Sequence, residues 1–313
     1  MDEEEVLTGG NSTLVTRVGR TVRRTAGPWT PAVHSLLEAL RHAGVTEVPQ
    51  ALGMDDHGRE VLSFIDGDAA HYPLPDWIWD PSVLRDAGAL LRRIHDASVG
   101  LARADLSWQL PTHQPAEVVC HNDAAPYNMV FADGRLTALI DFDTASPGPR
   151  IWDFAYLAYR LVPLGENGGP GAPEEQERLS RLDALIDAYG VSFGHVQVFQ
   201  TLAARLDELA ELTDGRAAAT GREDFLEHSA MYRKDRGRVS AMAGSLSGQN
   251  PTLDASRIRV AAASGEASSL PCGLCSPSSG QCVLPSPANP RSRGRHRRAG
   301  PGWPRVCAGG RSP

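Results

Sequence analysis

Long hydrophobic runs are missing from this 313-residue chain: no window holds eighteen consecutive apolar residues, so no transmembrane helix is expected. The start, Met1-Asp2-Glu3-Glu4-Glu5, has no basic region followed by an apolar stretch, the mark of a secretory leader. Both absences predict a cytoplasmic protein. No Gly-x-x-x-x-Gly-Lys occurs, which removes the P-loop way of cradling phosphates. Lysine is nearly absent, with Lys234 the only one. Cysteine is scarce up to residue 244, where Cys120 stands alone, as suits a buried small side chain in a reducing compartment. Its neighbour His121 does not make a Cys/His nucleophile with it, because adjacent residues on an extended segment point to opposite faces.

With 41% hydrophobic residues, the chain can bury one large core or two lobes. The formal charge of -7 conceals a division. Residues 245–313 hold nine Arg against Asp254 and Glu266, a balance of +7, which leaves -14 for residues 1–244. An acidic body disfavours nucleic acid and favours a cationic small molecule. From residue 245 the composition turns to Ser, Gly, Pro, Ala and Arg, which predicts a disordered tail. Cys272, Cys275, Cys282 and Cys307 contain one Cys-x-x-Cys and otherwise irregular spacing, a poor zinc site. The tail resembles the out-of-frame translation of a GC-rich gene, and a homologous ending in another downstream reading frame would support that.

Chemistry concentrates between His121 and Asp143. Val118-Val119 leads in and Met129-Val130-Phe131 follows; Asp133-Gly134 then makes a tight turn before Leu136 to Ile140, the pattern of a small hairpin. Asp123 and Asn128 fall on the loop at one end, and Asp141 where the returning strand stops. Three oxygen-bearing side chains therefore converge. Phosphoryl transfer needs a carboxylate to orient and deprotonate the attacking hydroxyl, and hard oxygen ligands for the magnesium that neutralises the phosphates. Asp-x-x-x-x-Asn followed by Asp-Phe matches that need, with Asp123 as base and Asn128 and Asp141 as metal ligands.

The segment His121-Asn122-Asp123, Pro126, Asn128 and Ile140-Asp141-Phe142-Asp143, with Trp152-Asp153 downstream, resembles the aminoglycoside phosphotransferases and related small-molecule kinases of the protein-kinase-like superfamily. Protein kinases usually carry Arg between the His and Asp and Gly after the Asp-Phe; Asn122 and Asp143 suit the small-molecule branch. The resemblance covers about residues 5–243. It implies an α+β, two-lobed fold: a nucleotide-binding N-lobe with a small antiparallel sheet over residues 1–66, a mostly helical catalytic and acceptor-binding C-lobe over 67–244, and the tail beyond. It also implies ATP or GTP as donor, Mg2+, and a small-molecule hydroxyl as acceptor, with no protein partner evident.

Within such an N-lobe, Val6 to Gly19 and Arg20 to Thr25 read as strands, and Gly9-Gly10 as the turn where Gly10 lets the backbone approach the phosphates. The third strand normally offers a Lys to those phosphates. Here Arg24 stands in, on the same strand face as Val22. Thr30-Pro31 opens a helix ended by Gly44, with Val33, Leu36, Leu37 and Leu40 on its apolar face; Glu38 and His34 read as solvated. Two further strands, Pro49 to Gly53 and Glu60 to Ile65, flank the turn Asp55 to Gly58. Ser63 to Gly67 resembles the family's hinge, which implies that Phe64 and Ile65 meet the adenine through their backbone.

In the C-lobe, Trp77 and Trp79 read as packing. Asp80-Pro81 opens a helix that reaches His95, read as a structural hydrogen-bonding residue. Asp153 caps a helix or braces the catalytic loop. Residues 165–173 form a flexible connection, and helices are expected at about 174–189, 195–212 and 222–243. The acids Asp207, Glu208, Glu211, Asp214, Glu223, Asp224 and Glu227 are where ammonium groups of a polyamine-like antibiotic would dock, or else a solvated face. The acceptor stays open between such an antibiotic and a metabolic alcohol such as choline, homoserine or a sugar. Two other readings stand beside these: a nucleotide-binding chain without turnover, and a damaged gene product that a cooperative thermal transition would exclude.

Overall fold

The computed structural model describes residues 4–7, 15–165, 169 and 171–249. The expectations for Gly9 and Gly10 and for residues 250–313, the four tail cysteines included, lie outside the described residues.

The first lobe is an antiparallel sheet built from β1 (Glu4–Leu7), β2 (Val15–Val18), β3 (Thr21–Thr25), β4 (Ala51–Met54) and β5 (Arg59–Ser63), in the order β1-β2-β3-β5-β4. The turn between β4 and β5 closes because Asp55 Oδ1 accepts the N–H groups of His57 and Arg59 at 3.0 and 2.9 Å. Register sets Arg24 opposite Glu60 and Val22 opposite Leu62, and alternation puts each such pair on one face. α1 (Thr30–His42) lies between β3 and β4 with Val33, Leu36, Leu37 and Leu40 buried, as its periodicity predicts. The opening threonine works differently from a simple cap: Thr30 is the first helical residue, and its hydroxyl accepts from Gly27 N–H at 3.0 Å.

The second lobe starts with a two-residue strand, β6 (Asp68–Ala69), which joins a sheet in the order β6-β8-β9 with β8 (Met129–Ala132) and β9 (Arg135–Leu139). The β8–β9 hairpin turns through Asp133 and Gly134 at φ 51° and 72°, the left-handed pair that a tight two-residue turn requires. A separate pair joins β7 (Val118–Cys120) to β10 (Ser146–Gly148). α2 (Pro81–Ser98) begins on Asp80, whose Oδ1 accepts Ser82 N–H at 2.7 Å.

α3 (Arg150–Leu161) is the centre of the lobe: Phe154, Ala155, Leu157 and Ala158 are fully buried. Around it pack α2, α5 (His195–Thr220) and β7, with α4 (Arg178–Tyr189) against α2 and α6 (Asp224–Gln249) against α5. The last two helices are longer than the expected 195–212 and 222–243. α5 runs through Gly215 because Thr213 and Ala217 on either side are buried and offset the roughly 1 kcal/mol that glycine costs in a helix. Residues 245–249, assigned to the tail by composition, continue α6. Among the described residues no helix is long and apolar enough to cross a membrane.

Candidate active site

The loop after β7 is held from behind by one buried carboxylate. Asp153, on the first turn of α3 and fully buried, accepts the backbone N–H of His121 at 2.7 Å and of Asn122 at 2.9 Å, and meets His95 Nε2 at 3.0 Å. Burial pushes this carboxyl up. The hydrogen bond from His95 and the positive surroundings, Arg205 among them, outweigh it and hold Asp153 down to about 2. His95 completes the brace through Nδ1 to the Tyr189 hydroxyl at 2.7 Å. His95 is thus the structural hydrogen-bonding residue expected, and of the two roles open to Asp153 the structure shows the loop brace and no helix cap. His121 Nε2 faces the Ile140 carbonyl at 2.9 Å and so carries the ring proton, while Nδ1 accepts Asp123 N–H at 3.2 Å.

That bracing aims Asp123 into a cleft. Its Oδ1 accepts the hydroxyls of Tyr127 at 2.6 Å and Tyr156 at 3.1 Å, and its Oδ2 accepts Asn128 Nδ2 at 3.0 Å. Asn128 Nδ2 also donates to the Asp123 carbonyl at 2.9 Å, which turns the amide oxygen of Asn128 away from Asp123. Asp141 ends the hairpin at φ 64°, a left-handed conformation rare outside glycine and concentrated at functional sites. Its side chain is half-exposed. Asp123, Asn128 and Asp141 all line the one cleft, so the three sequence-predicted side chains are brought together.

Arg24 meets this group from the other lobe. Its guanidinium donates from Nε to Glu60 Oε2 at 2.5 Å, from Nη1 to Asp141 Oδ1 at 2.9 Å and from Nη2 to Asp143 Oδ1 at 2.6 Å. His34 Nε2 meets the other oxygen of Glu60 at 2.9 Å. His34 is therefore not a solvated helix position, as its sequence context had suggested, whereas Glu38 is exposed as expected. Glu60, 1% exposed, is the residue that sequence reading missed: the acidic partner of the β3 cation sits opposite it on the paired strand. Three carboxylates surround one guanidinium. Burial pushes Asp143 up to about 6 despite Arg24 beside it. The surplus of negative charge, with hard oxygens on Asn128 and Asp141, fits a divalent cation of the magnesium type. Of the hinge pair, Phe64 donates its N–H to the Arg20 carbonyl at 2.9 Å and carries the Arg17 guanidinium 3.9 Å over its ring, while Ile65 makes no backbone hydrogen bond among the described residues.

The sequence profile of the phosphotransferase enzyme family matches residues 99–193, which take in this whole loop and hairpin. The trifolitoxin immunity protein of Rhizobium leguminosarum bv. trifolii is 35% identical over 204 residues, 61% of this chain and 76% of that protein. The chain belongs to the phosphotransferase enzyme family. Among solved structures, an amicoumacin kinase in complex with AMP-PNP, Ca2+ and Ami has a TM-score of 0.55 at 13% identity, over 76% of this chain and 88% of that one. An ethanolamine kinase of Plasmodium vivax has 0.53 at 11%, over 75% and 81%. Both likenesses are of fold: two lobes, an antiparallel sheet in the first and helices in the second. The phosphotransferase assignment expected from the motif thus holds.

The cleft of this phosphotransferase has a volume of about 670 Å³ and continues from Asp123 between α3, α5 and α6. Its floor is aromatic and basic. Tyr72, Tyr127, Tyr156, Tyr159 and Tyr232 line it together with Arg160, Arg205 and Arg216. The helix acids singled out for docking ammonium groups are largely engaged elsewhere: Asp207 pairs with Arg236, Asp214 with Arg233, Asp224 with Arg222 and Glu208 with His113. The tyrosines and Arg160 carry no motif of their own, and the only sequence signal for them was the aromatic run on α3.

Proposed function

We propose that this chain transfers the γ-phosphoryl group of ATP, with GTP as the other candidate donor, to a hydroxyl of a small molecule. The observation that carries the reading is Asp123, held by Tyr127, Tyr156 and Asn128 at the mouth of a cleft that also exposes Asp141. Asp123 receives the acceptor hydroxyl as hydrogen-bond donor and takes its proton as the oxygen attacks phosphorus. The two phenol donors and Asn128 fix the carboxylate's orientation, so the attack direction is set before the acceptor arrives. Asn128 and Asp141 would hold Mg2+, which, when bound, neutralises charge on the transferring phosphoryl group. In this reading residues 1–66 bind nucleotide, with Gly10 and Arg24 toward the phosphates and Phe64 and Ile65 toward the base, and residues 67–244 bind the acceptor.

The relative that is an immunity protein supports an antimicrobial compound as acceptor over a metabolic alcohol. A second reading, nucleotide binding without turnover, is favoured by one observation, the Arg24–Asp141 ion pair across the metal position. The test is Mg2+-dependent ADP release against a panel of aminoglycosides, macrolides, hydroxylated peptides and small amino or sugar alcohols. Release with any acceptor, abolished in Asp123→Ala, supports transfer; nucleotide binding with no release across the panel supports the second reading.

A further inference from the structure

Arg160 is the unusual group of the acceptor cleft. It lies one turn beyond Tyr156 on α3, and no carboxylate pairs with it among the described residues. Its acceptors are phenols: Tyr156 at 2.8 Å, Tyr232 at 3.4 Å and Tyr72 at 3.5 Å, of which only the first is a good hydrogen bond. Its Nε is buried and has no hydrogen-bond partner among the described residues. The guanidinium carbon also stands 4.8–5.9 Å from the ring centres of Tyr159, Tyr156 and Tyr127, which soften the cost of a desolvated cation without neutralising it. A guanidinium whose Nη groups meet only phenols, two of them at long range, is in a walled cleft a receptor for a planar anion.

The surroundings reinforce this. Arg205, 3% exposed, is turned to Asn122 by its bond to Asn122 Oδ1 at 3.2 Å, and neither it nor Arg216 on the same wall has a carboxylate partner among the described residues. Away from Asp123 and Asp141, the cleft's acids are Glu208, bound to His113 at 2.7 Å, and Asp235, bound to the Tyr159 hydroxyl at 2.6 Å. A polycation would find three arginines there. An anion would find Arg160 and Arg216 without a carboxylate partner among the described residues, with Arg205 adding its charge from behind.

Position matters as much as charge. Tyr156 Oη is 3.1 Å from Asp123 Oδ1 and 2.8 Å from Arg160 Nη2, so base and cation lie within about 6 Å of each other. We propose that the acceptor carries a carboxylate on the same small unit as its reacting hydroxyl, with aromatic or apolar substituents, and that Arg160 receives the carboxylate while Asp123 receives the hydroxyl. This specifies the acceptor class of the site proposed above and rests on that reading.

The test uses the full chain and matched ligands: N-acetylphenylalanylserine with its carboxamide, and 3-(4-hydroxyphenyl)lactate with its methyl ester, with gentamicin as the cationic comparison. Binding is measured by calorimetry and, separately, ADP release is followed with Mg·ATP. At least one free acid is expected to bind tenfold or more tightly than its neutral partner and more tightly than gentamicin. In Arg160→Gln that preference falls to about twofold or less, and Arg160→Lys recovers part of it; a positioning role for Arg160 alone would lower kcat equally for both members of a pair. Equal binding of acid and neutral partner in every pair, absence of binding included, or stronger binding of gentamicin, overturns the proposal even if the arginine variants fail to fold. Acid preference without ADP release leaves the carboxylate site standing and overturns the transfer reading instead.

Discussion

Asp123 touches Tyr127, Tyr156 and Asn128 and pairs with no cationic side chain among the described residues, which leaves its charge available to a hydroxyl. Asp123→Ala is expected to lower kcat by about 10²- to 10⁴-fold while nucleotide affinity changes little, measured by coupled ADP release and by nucleotide titration. Asp153 behaves differently, because its charge serves folding. Its folded pKa is depressed to about 2, below the roughly 3.9 of an unfolded aspartate, so its contribution is complete above about pH 4 and lost as pH falls from 4 toward 2. The difference is worth about 2.6 kcal/mol. Asp153→Asn sets an amide N–H against the N–H of His121 or Asn122; chemical denaturation at neutral pH should show a loss of about 3 kcal/mol and a flatter acid limb. Asp123, Asn128 and Asp141 were legible in the sequence because loop and hairpin bring near neighbours in the chain together. Glu60, Tyr156 and Arg160 were not, since their meeting depends on strand register and on which face of α3 turns inward, and neither is written within a few residues of the motif.

Strand and helix types were legible wherever a period repeated several times, as in α1 and α2, or where Asp133-Gly134 demanded one turn. β6 was not: two residues have no period, and Asp68 and Ala69 form a strand only because β8 offers an edge. The junction before it is exacting. Gly67 sits at φ 134°, and a Cβ built there would lie 2.5 Å from the Phe131 carbonyl oxygen and 2.7 Å from Val130 Cγ1. Gly67→Ala should therefore cost about 2 kcal/mol or more, seen as a lower thermal midpoint, and should displace β6 from its pairing with β8. Gly134→Ala, with open space around the same atom, should cost only the roughly 1 kcal/mol of its left-handed backbone.

At the scale of the molecule the two lobes meet through Arg24, whose ion pairs to Asp141 and Asp143 cross from β3 to the catalytic hairpin. A ligand held by both lobes stabilises them together. Mg·ATP at a hundred times its Kd should add about 2.7 kcal/mol to unfolding, read as a raised thermal midpoint, and EDTA should remove most of that gain; equal protection with and without metal would contradict Asn128 and Asp141 as its ligands. Arg24 also decides how this protein can be tagged. Reagents that acylate the cleft amine of a kinase from a nucleotide-shaped carrier have no target here, because the only lysine side chain, Lys234, is exposed on α6. A proteome-wide survey built on such reagents would pass over this protein.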